Sequence, residues 1–115
     1  LPHKFEAGTP NAADAVGLLR AAMRSPNPTI FFEHRSLLMT GDGSARYPGD
    51  DYVLPLGRAR VVQDGTDATI VTWGAMVHRC AEAIESFGNR IELIDLRTIA
   101  PWDRECVLES VRKTG

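Results

Sequence analysis

The chain contains 115 residues, 43% of them hydrophobic and 24% charged, with a formal net charge of −2 at pH 7. This length allows one small domain, and the composition is ordinary for a globular protein. The charge balance provides no basic surface for nucleic acid, and no apolar run approaches the ~18 residues of a membrane span. The first residues, LPHKFEAG, also lack the apolar stretch of a signal peptide.

Residues 11–24, NAADAVGLLRAAMR, predict the first helix. Apolar residues recur at i, i+3, i+4 and i+7 from Ala15. Asn11 is a suitable N-cap, and Asp14 places a favourable charge in the first turn, with Thr9-Pro10 as the alternative start. Gly17 costs roughly 1 kcal/mol relative to alanine within a helix, so we expect another segment to pack closely against it.

The middle of the chain predicts less regular structure. Residues 29–33, TIFFE, predict a short buried strand. Residues 40–51 are rich in Gly, Pro and Asp, which is typical of a loop or linker between domains. Residues 52–64 contain two short extended pieces, YVLPL and ARVVQ.

The second half predicts alternating strands and helices: a strand at 68–73, a helix at 75–87, a strand at 91–96 and a helix capped by Asp103. The residues expected to face inward are Val77, Cys80, Ala81 and Ile84 on the first of these helices and Val107, Leu108 and Val111 on the second. Such alternation with short connections favours a parallel βαβα unit with strands buried on both faces.

Residue types that bind metals are scattered along the chain. Cys80 and Cys106 form no C-x-x-C motif and fall in predicted helices, which is typical of two buried thiols in a reducing cytoplasm. The three histidines, His3, His34 and His78, include no pair at i, i+4, so no zinc site is indicated. His78 lies off the apolar face of its helix, and we expect it to be exposed or at an interface.

The run TIVTWGAMVHRCAEAI at 69–84 has the strand, turn and helix order of a phosphate-binding loop. A dinucleotide fingerprint needs three glycines, and only Gly74 is present. Met76 and Val77 would also crowd a phosphate. Gly74 is therefore interpreted as a strand-to-helix corner, although a helix N-terminus retains a weak attraction for anions.

Glu33 and His34 follow the predicted TIFFE strand. In α/β proteins, ligands bind near the carboxyl ends of strands. Two readings remain open: a functional role for these residues, or an ordinary salt-bridged strand end. The serines lack a G-x-S-x-G context, so the sequence contains no nucleophile elbow.

Longer motifs carry a resemblance. The segments GTDATIVTWGAMVHRCAEAIE and IELIDLRTIAPWDRECVLESVRKTG closely resemble the beta subunits of thiamine diphosphate-dependent 2-oxo acid dehydrogenases, of the pyruvate, branched-chain 2-oxo acid and acetoin types. SPNPTIFFEHR and DYVLPLGRARVV agree as well. IDLRT-I-x-P-x-D is the most specific part. Transketolases and deoxyxylulose phosphate synthases would share the βαβα unit without these joined motifs.

The resemblance implies an α/β fold with three parts. Residues 1–39 would be the C-terminal end of a pyrimidine-binding domain, residues 40–66 a linker, and residues 67–115 the first βαβα unit of a transketolase C-terminal-like domain. The family pattern would continue after Gly115, so we expect the chain to be one piece of a longer subunit. LPHKFEAGTPN departs from the apolar strand, short turn and Thr-Pro expected there.

The implied reaction is oxidative decarboxylation of a 2-oxo acid, with acyl transfer to a lipoyl group on an acyltransferase core. The catalytic glutamate and histidine would precede Leu1, and the diphosphate and magnesium site would belong to an alpha subunit. The segment itself would therefore be structural, with no catalytic or cofactor-binding residue. Its expected partners are the alpha subunit, a second beta subunit and the acyltransferase core, in the cytoplasm.

One family site falls within the chain. It is a structural monovalent cation, usually potassium, held by hard oxygen ligands in the loop after the first helix. The matching residues are Ala22, Met23, Ser25 and Asn27. Ser25 stands where the family pattern has aspartate, and the missing carboxylate would weaken the site.

The alternative to an enzyme subunit is a stand-alone small α/β binding module without enzymatic activity. A genomic reading frame distinguishes the two, because the subunit interpretation requires a gene that runs on in both directions. A segment cut from between two domains would expose sheet edges, so we expect this chain to self-associate.

Overall fold

The computed structural model describes residues 5–115, with the backbone alone described for residues 5–7. The regular elements, in chain order, are β1 (Phe5–Gly8), α1 (Ala12–Arg24), β2 (Thr29–Phe32), α2 (Arg35–Leu38), β3 (Arg60–Gln63), β4 (Ala68–Thr72), α3 (Ala75–Ile84), β5 (Ile91–Asp95), β6 (Thr98–Ala100) and α4 (Arg104–Thr114). Two 3₁₀ turns lie at Gly41–Gly43 and Glu85–Arg90. The mixture of helices and strands confirms the predicted α/β class.

The first sheet has the strand order β2-β1-β6. Strands β1 and β2 run parallel, with α1 as their crossover, and Gly8 is paired with Phe32. Strand β6 pairs antiparallel to β1 although it comes from the far end of the chain. The first sheet is therefore completed by the second half of the sequence.

The second sheet has the order β3-β5-β4. Strands β4 and β5 are parallel, from Ala68 opposite Ile91 to Thr72 opposite Asp95, with α3 as the crossover, as the βαβα prediction requires. Strand β3 adds an antiparallel edge. The core contains Val77, Ile84 and Leu93, and Ile70, Cys80, Ala81 and Ile91 pack against it. This confirms the predicted inward face of α3.

Helix α1 begins where predicted. The Asn11 side chain accepts a hydrogen bond from the Asp14 N–H at 2.9 Å, which satisfies one free amide of the first turn. The close packing expected at Gly17 is also present, because a Cβ there would lie 2.7 Å from Leu54 Cγ. The Leu54 N–H donates to the Gly17 carbonyl at 3.1 Å. The segment YVLPL therefore packs on α1 and joins no sheet, whereas ARVVQ forms β3.

The prediction for TIFFE was wrong in two respects. Strand β2 ends at Phe32, and it forms an edge of its sheet rather than a buried strand. Ile30 and Phe32 are 40% and 41% exposed. The apolar run was read as burial on both faces, but exposed residues alternate with half-buried ones along β2, so only one of its faces is partly covered.

The chain start was also misread. The segment FEAG forms β1, at the centre of the first sheet, and leads directly into Thr9-Pro10. Residues 1–4 of the same stretch lie outside the described residues. The expected strand before Thr-Pro is thus present in the described part, although its sequence is less apolar than the family pattern.

Helix α4 begins at its predicted cap, since the Asp103 carboxylate accepts from the Cys106 N–H at 3.1 Å. Its inward face differs from the prediction, because Val111 is 45% exposed and Ser110 is buried. The Ser110 hydroxyl binds the Thr69 hydroxyl at 2.7 Å. A buried hydroxyl is tolerated where α4 packs on β4 because it has a hydrogen-bond partner. The prediction assumed that only apolar residues of α4 would face inward, and it therefore chose Val111 instead of Ser110.

Candidate functional site

Gly74 forms the corner between β4 and α3, as predicted. Its φ of 60° lies in the left-handed region that favours glycine, and a Cβ there would overlap the His34 imidazole. The Ala75 N–H donates to His34 Nδ1 at 2.7 Å. A histidine therefore caps this helix, and an amide that a phosphate would need is already bound.

His34 reaches the corner from the end of β2, so its side chain joins the two halves of the chain. Its ring stacks on Trp73, with centroids 5.3 Å apart and an interplanar angle of 16°. Neither of the two readings left open for His34 described a helix cap on a distant element. The structure assigns it that role, while Glu33 is exposed.

Two further contacts complete the joint, which we define as Gly8, Pro10, His34, Trp73 and His78. Gly8 lets the Trp73 ring approach, because a Cβ at Gly8 would lie 2.8 Å from Trp73 Cε3. His78 Nε2 donates to the Pro10 carbonyl at 2.7 Å. His78 is thus an interface histidine within the chain, which agrees with its prediction. His3 lies outside the described residues.

A charge cluster links the two halves of the chain, formed by the buried carboxylates of Asp14 and Asp95 together with Arg60 and Arg97. Arg97 donates to both oxygens of Asp14 at 3.0 Å each, in the two-pronged geometry that arginine and carboxylate favour. Arg60 lies 3.6 Å from Asp95 and 4.0 Å from Asp14. Two carboxylates are therefore balanced by two guanidinium groups.

Burial raises the pKa of the Asp95 carboxyl to about 6. The Arg97 N–H and the Arg60 charge oppose this effect, and the Asp14 charge adds to it. Asp95 is fully buried, and its Oδ2 and Arg60 Nε have no hydrogen-bond partner among the described residues. The cluster is thus polar but incompletely satisfied.

Several side chains of the motif IDLRTIAPWD bind other segments of the chain. Thr98 Oγ1 accepts from the Gly57 N–H at 2.8 Å. Asp103 accepts from the Ala59 N–H at 3.0 Å while it caps α4. Together with the Arg97 pair to Asp14, these side chains tie the linker, α1 and α4 to one strand end. The motif therefore fixes the packing of the chain.

The candidate cation residues occupy the C-terminal end of α1. The Ala22 carbonyl accepts from the Ser25 N–H at 3.2 Å, and Ser25 Oγ accepts from the Asn27 N–H at 3.2 Å. A small cavity of about 230 Å³ is lined by Leu19, Ala22, Met23, Asn27, Thr29 and Phe31. Three of the four candidate residues, Ala22, Met23 and Asn27, therefore border one cavity. Ser25 lies between them in the sequence but does not line the cavity.

Sequence reasoning missed a larger groove of about 460 Å³ between α1, β2 and α2. Its lining includes apolar side chains such as Val16, Phe31 and Leu37, and Glu33 and His34 also line it. The signal available in the sequence was the apolar pair Leu37-Leu38, which begins three residues after His34. That pair lies on α2, which was not predicted as a helix.

Other site classes find no support in residues 5–115. No group of three or more His, Cys, Asp or Glu residues there could hold a metal ion. No helix of that part is long and apolar enough to cross a membrane. Cys80 and Cys106 are free and partly buried rather than fully buried, and burial raises the pKa of the Cys106 thiol.

The family profile described as "Transketolase, C-terminal domain" matches residues 57–115. The chain therefore belongs to the transketolase C-terminal domain family. A solved structure described as a split-gene transketolase, an inactive beta4 tetramer, superposes with a TM-score of 0.76 at 27% identity. The superposition covers 100% of this chain and 37% of the transketolase chain.

Relatives of similar sequence are beta subunits. The chain is 48% identical over 106 residues to the 2-oxoisovalerate dehydrogenase subunit beta of Dictyostelium discoideum, and 44% identical over 105 residues to that of Bacillus subtilis. It is also 44% identical to the pyruvate dehydrogenase E1 component subunit beta of Acholeplasma laidlawii. Each match covers 89% of this chain and 28–32% of the relative. The predicted resemblance is confirmed.

Proposed function

We propose that this chain forms part of the beta subunit of a thiamine diphosphate-dependent 2-oxo acid dehydrogenase, with a structural rather than a catalytic role. The similarity of 44–48% over at least 105 residues carries this proposal. The contacts of Arg97, Thr98 and Asp103 support the structural role, because each side chain anchors another part of the same chain.

The whole enzyme would decarboxylate a 2-oxo acid oxidatively and pass the acyl group to a lipoyl group on an acyltransferase core. Thiamine diphosphate supplies the electron sink for such decarboxylation. Residues outside this chain would hold the cofactor and magnesium, with the alpha subunit providing the diphosphate site. His34 supports this division, since it already binds the Ala75 amide at the helix end best placed for a phosphate.

The proposed partners are the alpha subunit, a second beta subunit and the acyltransferase core, in the cytoplasm. Within the chain we propose the end of a pyrimidine-binding domain at 1–39, a linker at 40–66 and the start of a transketolase C-terminal-like domain at 67–115. The Arg20 side chain supports a docked linker, because it donates to the carbonyls of Gly49 and Tyr52 at 2.6 and 3.1 Å.

A chimera tests the proposal. Residues 12–115 replace the matching segment of the Bacillus subtilis 2-oxoisovalerate dehydrogenase beta subunit, which is 44% identical, and the chimera is assembled with its alpha subunit. We expect assembly and 2-oxo acid decarboxylation. The chain alone should show neither thiamine diphosphate binding by calorimetry nor decarboxylation.

Clear activity of the isolated chain would refute the structural role. A chimera that folds but fails to assemble would refute the beta-subunit assignment and would favour the stand-alone binding module.

We further propose a weak potassium site at Ala22, Met23, Ser25 and Asn27. Each carbonyl oxygen has two lone pairs, so the Ala22 oxygen retains one beside its bond to Ser25. The C-terminal end of a helix also favours a cation. The set lacks a carboxylate, which fits a weakly held monovalent ion rather than a tightly bound one.

Replacement Ser25→Asp should strengthen this site. We expect potassium chloride to stabilise the variant over choline chloride by about 1 kcal/mol more than wild type, because a carboxylate attracts the ion. Thermal unfolding in the two salts measures the difference, and Ser36→Asp on the exposed side of α2 is the matched control. Equal potassium responses of the two variants would exclude the site.

A further inference from the structure

Two histidines make hydrogen bonds across the joint, in opposite directions. His34 comes from the first half and binds the amide of Ala75 in the second half. His78 comes from the second half and binds the carbonyl of Pro10 in the first half. Both rings therefore help to hold the same two parts of the chain together.

The two bonds require different protonation of the rings. A backbone N–H only donates, so His34 Nδ1 must carry no proton when it binds Ala75. A backbone carbonyl only accepts, so His78 Nε2 must carry a proton when it binds Pro10. The His34 contact with the Ala75 amide therefore requires a neutral imidazole. The His78 contact with the Pro10 carbonyl is possible for a neutral or a charged ring, because Nε2 carries a proton in both.

We propose that His34 is a pH-sensitive latch across the joint: the unprotonated imidazole caps α3 and holds the two sheets together, and protonation releases this contact. This role is separate from the proposed membership of an enzyme subunit and concerns the chain itself.

Two features make the protonated state incompatible with the closed joint. An imidazolium has no acceptor nitrogen, so no rotation of the ring restores the bond to Ala75. It also places a positive charge at the positive end of the α3 dipole.

Few charged groups face His34. Among the residues that the structure describes, Glu33 is the only other titratable one that lines the adjacent groove, and it is exposed. Arg35 follows in the same segment and is exposed. On α3, the titratable residues of the first turns are His78, which binds Pro10, and Arg79, which is exposed. The Ala75 amide is thus the dominant polar partner of the ring.

The direction of the pH effect follows from proton binding. The released state takes up a proton at Nδ1 and the closed state does not, so falling pH favours release. Once His34 is protonated in the released state, the ratio of closed to released molecules falls about tenfold per pH unit. Histidine ordinarily changes charge between about pH 5 and about pH 8, which sets the range to be measured.

The test reads the joint locally. A His3→Gln, Trp102→Phe background leaves Trp73 as the only tryptophan and the two joint histidines as the only histidines. Trp73 emission and hydrogen exchange at the Ala75 amide, corrected for intrinsic rates, are followed from about pH 8 to about pH 5. We expect a one-proton transition in which Trp73 emission changes and the Ala75 amide loses protection.

Two variants separate the histidines. His34→Asn keeps an acceptor oxygen but does not titrate, so protection at Ala75 should persist across the range. His78→Gln should keep the transition, because His34 is unchanged. The ¹⁵N shifts of the His34 ring give an independent readout, with Nδ1 unprotonated at the upper end of the range.

A pH-independent Ala75 amide in the background protein would overturn the proposal. The same conclusion would follow if His78→Gln removed the transition, if a folded His34→Asn variant retained it, or if His34 Nδ1 carried the proton at high pH. The ring shifts need no variant of His34, so a His34→Asn protein that failed to fold would still leave a decisive measurement.

Discussion

Asp95 shows how one residue can couple folding to pH. Its pKa is raised to about 6 from 3.8 because burial penalises the charged carboxylate more than Arg60 and the Arg97 N–H favour it. The native state therefore holds a proton on Asp95 over a range in which the unfolded chain has released it. Stability contributed by this residue is present at low pH and lost as pH rises through that range.

We predict that Asp95→Asn makes the free energy of unfolding less dependent on pH over this range. Wild type should lose on the order of 3 kcal/mol between about pH 4 and about pH 7 through this residue, and the variant should not. Urea unfolding across the range measures the slope, with Asp42→Asn in the exposed 3₁₀ turn as the control. The expectation fails if both variants keep the wild-type slope.

Arg97 combines a buried ion pair with an unusual backbone. Its φ of 58° is in the left-handed region, uncommon for a residue other than glycine, and its N–H donates to Asp95 at 3.1 Å. The conformation lets the side chain turn back to Asp14 on α1. Removing the guanidinium alone would leave the buried Asp14 without its two hydrogen bonds from Arg97.

A double-mutant cycle measures this pair. Arg97→Ala should lower the free energy of unfolding by about 3–5 kcal/mol, because the buried Asp14 carboxylate loses both hydrogen bonds from the guanidinium and keeps only Arg60 at 4.0 Å. Asp14→Ala with Arg97→Ala should cost less than the sum of the two single changes. Strict additivity in denaturant unfolding would show that the pair is energetically uncoupled.

At the scale of elements, α1 serves as the platform for the linker. Tyr52 and Leu54 pack over Gly17, and Arg20 binds two linker carbonyls. Arg20 also donates to the Tyr47 hydroxyl at 2.8 Å. A helix with a glycine in its middle is locally weakened, and here the gap admits another segment.

Gly17→Ala should therefore destabilise the protein although alanine is the better helix former. We expect a loss of about 1–3 kcal/mol from overpacking against Leu54, larger than the roughly 1 kcal/mol gained in helix propensity. Gly41→Ala is the control, because a Cβ there meets nothing within 4 Å. A more stable Gly17→Ala variant in thermal unfolding would contradict the packing explanation.

Elements with a strong period were predictable from sequence. The cap at Asn11 and the spacing of apolar residues located α1, and one apolar face located α3. Strands β1 and β6 were not predicted as strands, because FEAG and TIA have little of the apolar pattern of a strand. Pairing with partners distant in sequence holds both in place. Elements with a clear local sequence pattern could therefore be predicted, and elements held mainly by distant pairing could not.

The joint was beyond sequence reasoning for a related reason. His34 and Ala75 are separated by 41 positions in the chain, and His78 and Pro10 by 68. Periodicity describes neighbours along one element, so it identified Gly74 as a corner but not the residue that fills it. Contacts between separate elements required the fold itself.

At the scale of the whole molecule, the outer edge of the second sheet offers a site for association. Strand β4, with the sequence ATIVT, is an edge strand without a charge or proline, and Val71 is 39% exposed. Edge strands of natural proteins usually carry a charged residue or a proline, which prevents pairing with another chain. The predicted self-association of this chain would use this edge.

We predict that Val71→Lys raises the fraction of monomer in light scattering at high protein concentration, because a charge disfavours strand pairing. Leu38→Lys on α2 tests whether any loss of exposed apolar surface has the same effect. A wild-type chain that is monomeric at high concentration would remove the basis for the prediction, as would equal effects of both substitutions.

The position of β6 has a consequence for biosynthesis. β1 is translated well before β6, yet Ala100 and Thr98 on β6 supply its antiparallel partner, and the Gly8 N–H donates to the Arg97 carbonyl at 3.0 Å. A ribosome must therefore release nearly the whole segment before the first sheet can close. Until then the early strands present an open edge to chaperones and to neighbouring nascent chains, so slower translation before residue 98 would prolong that exposure.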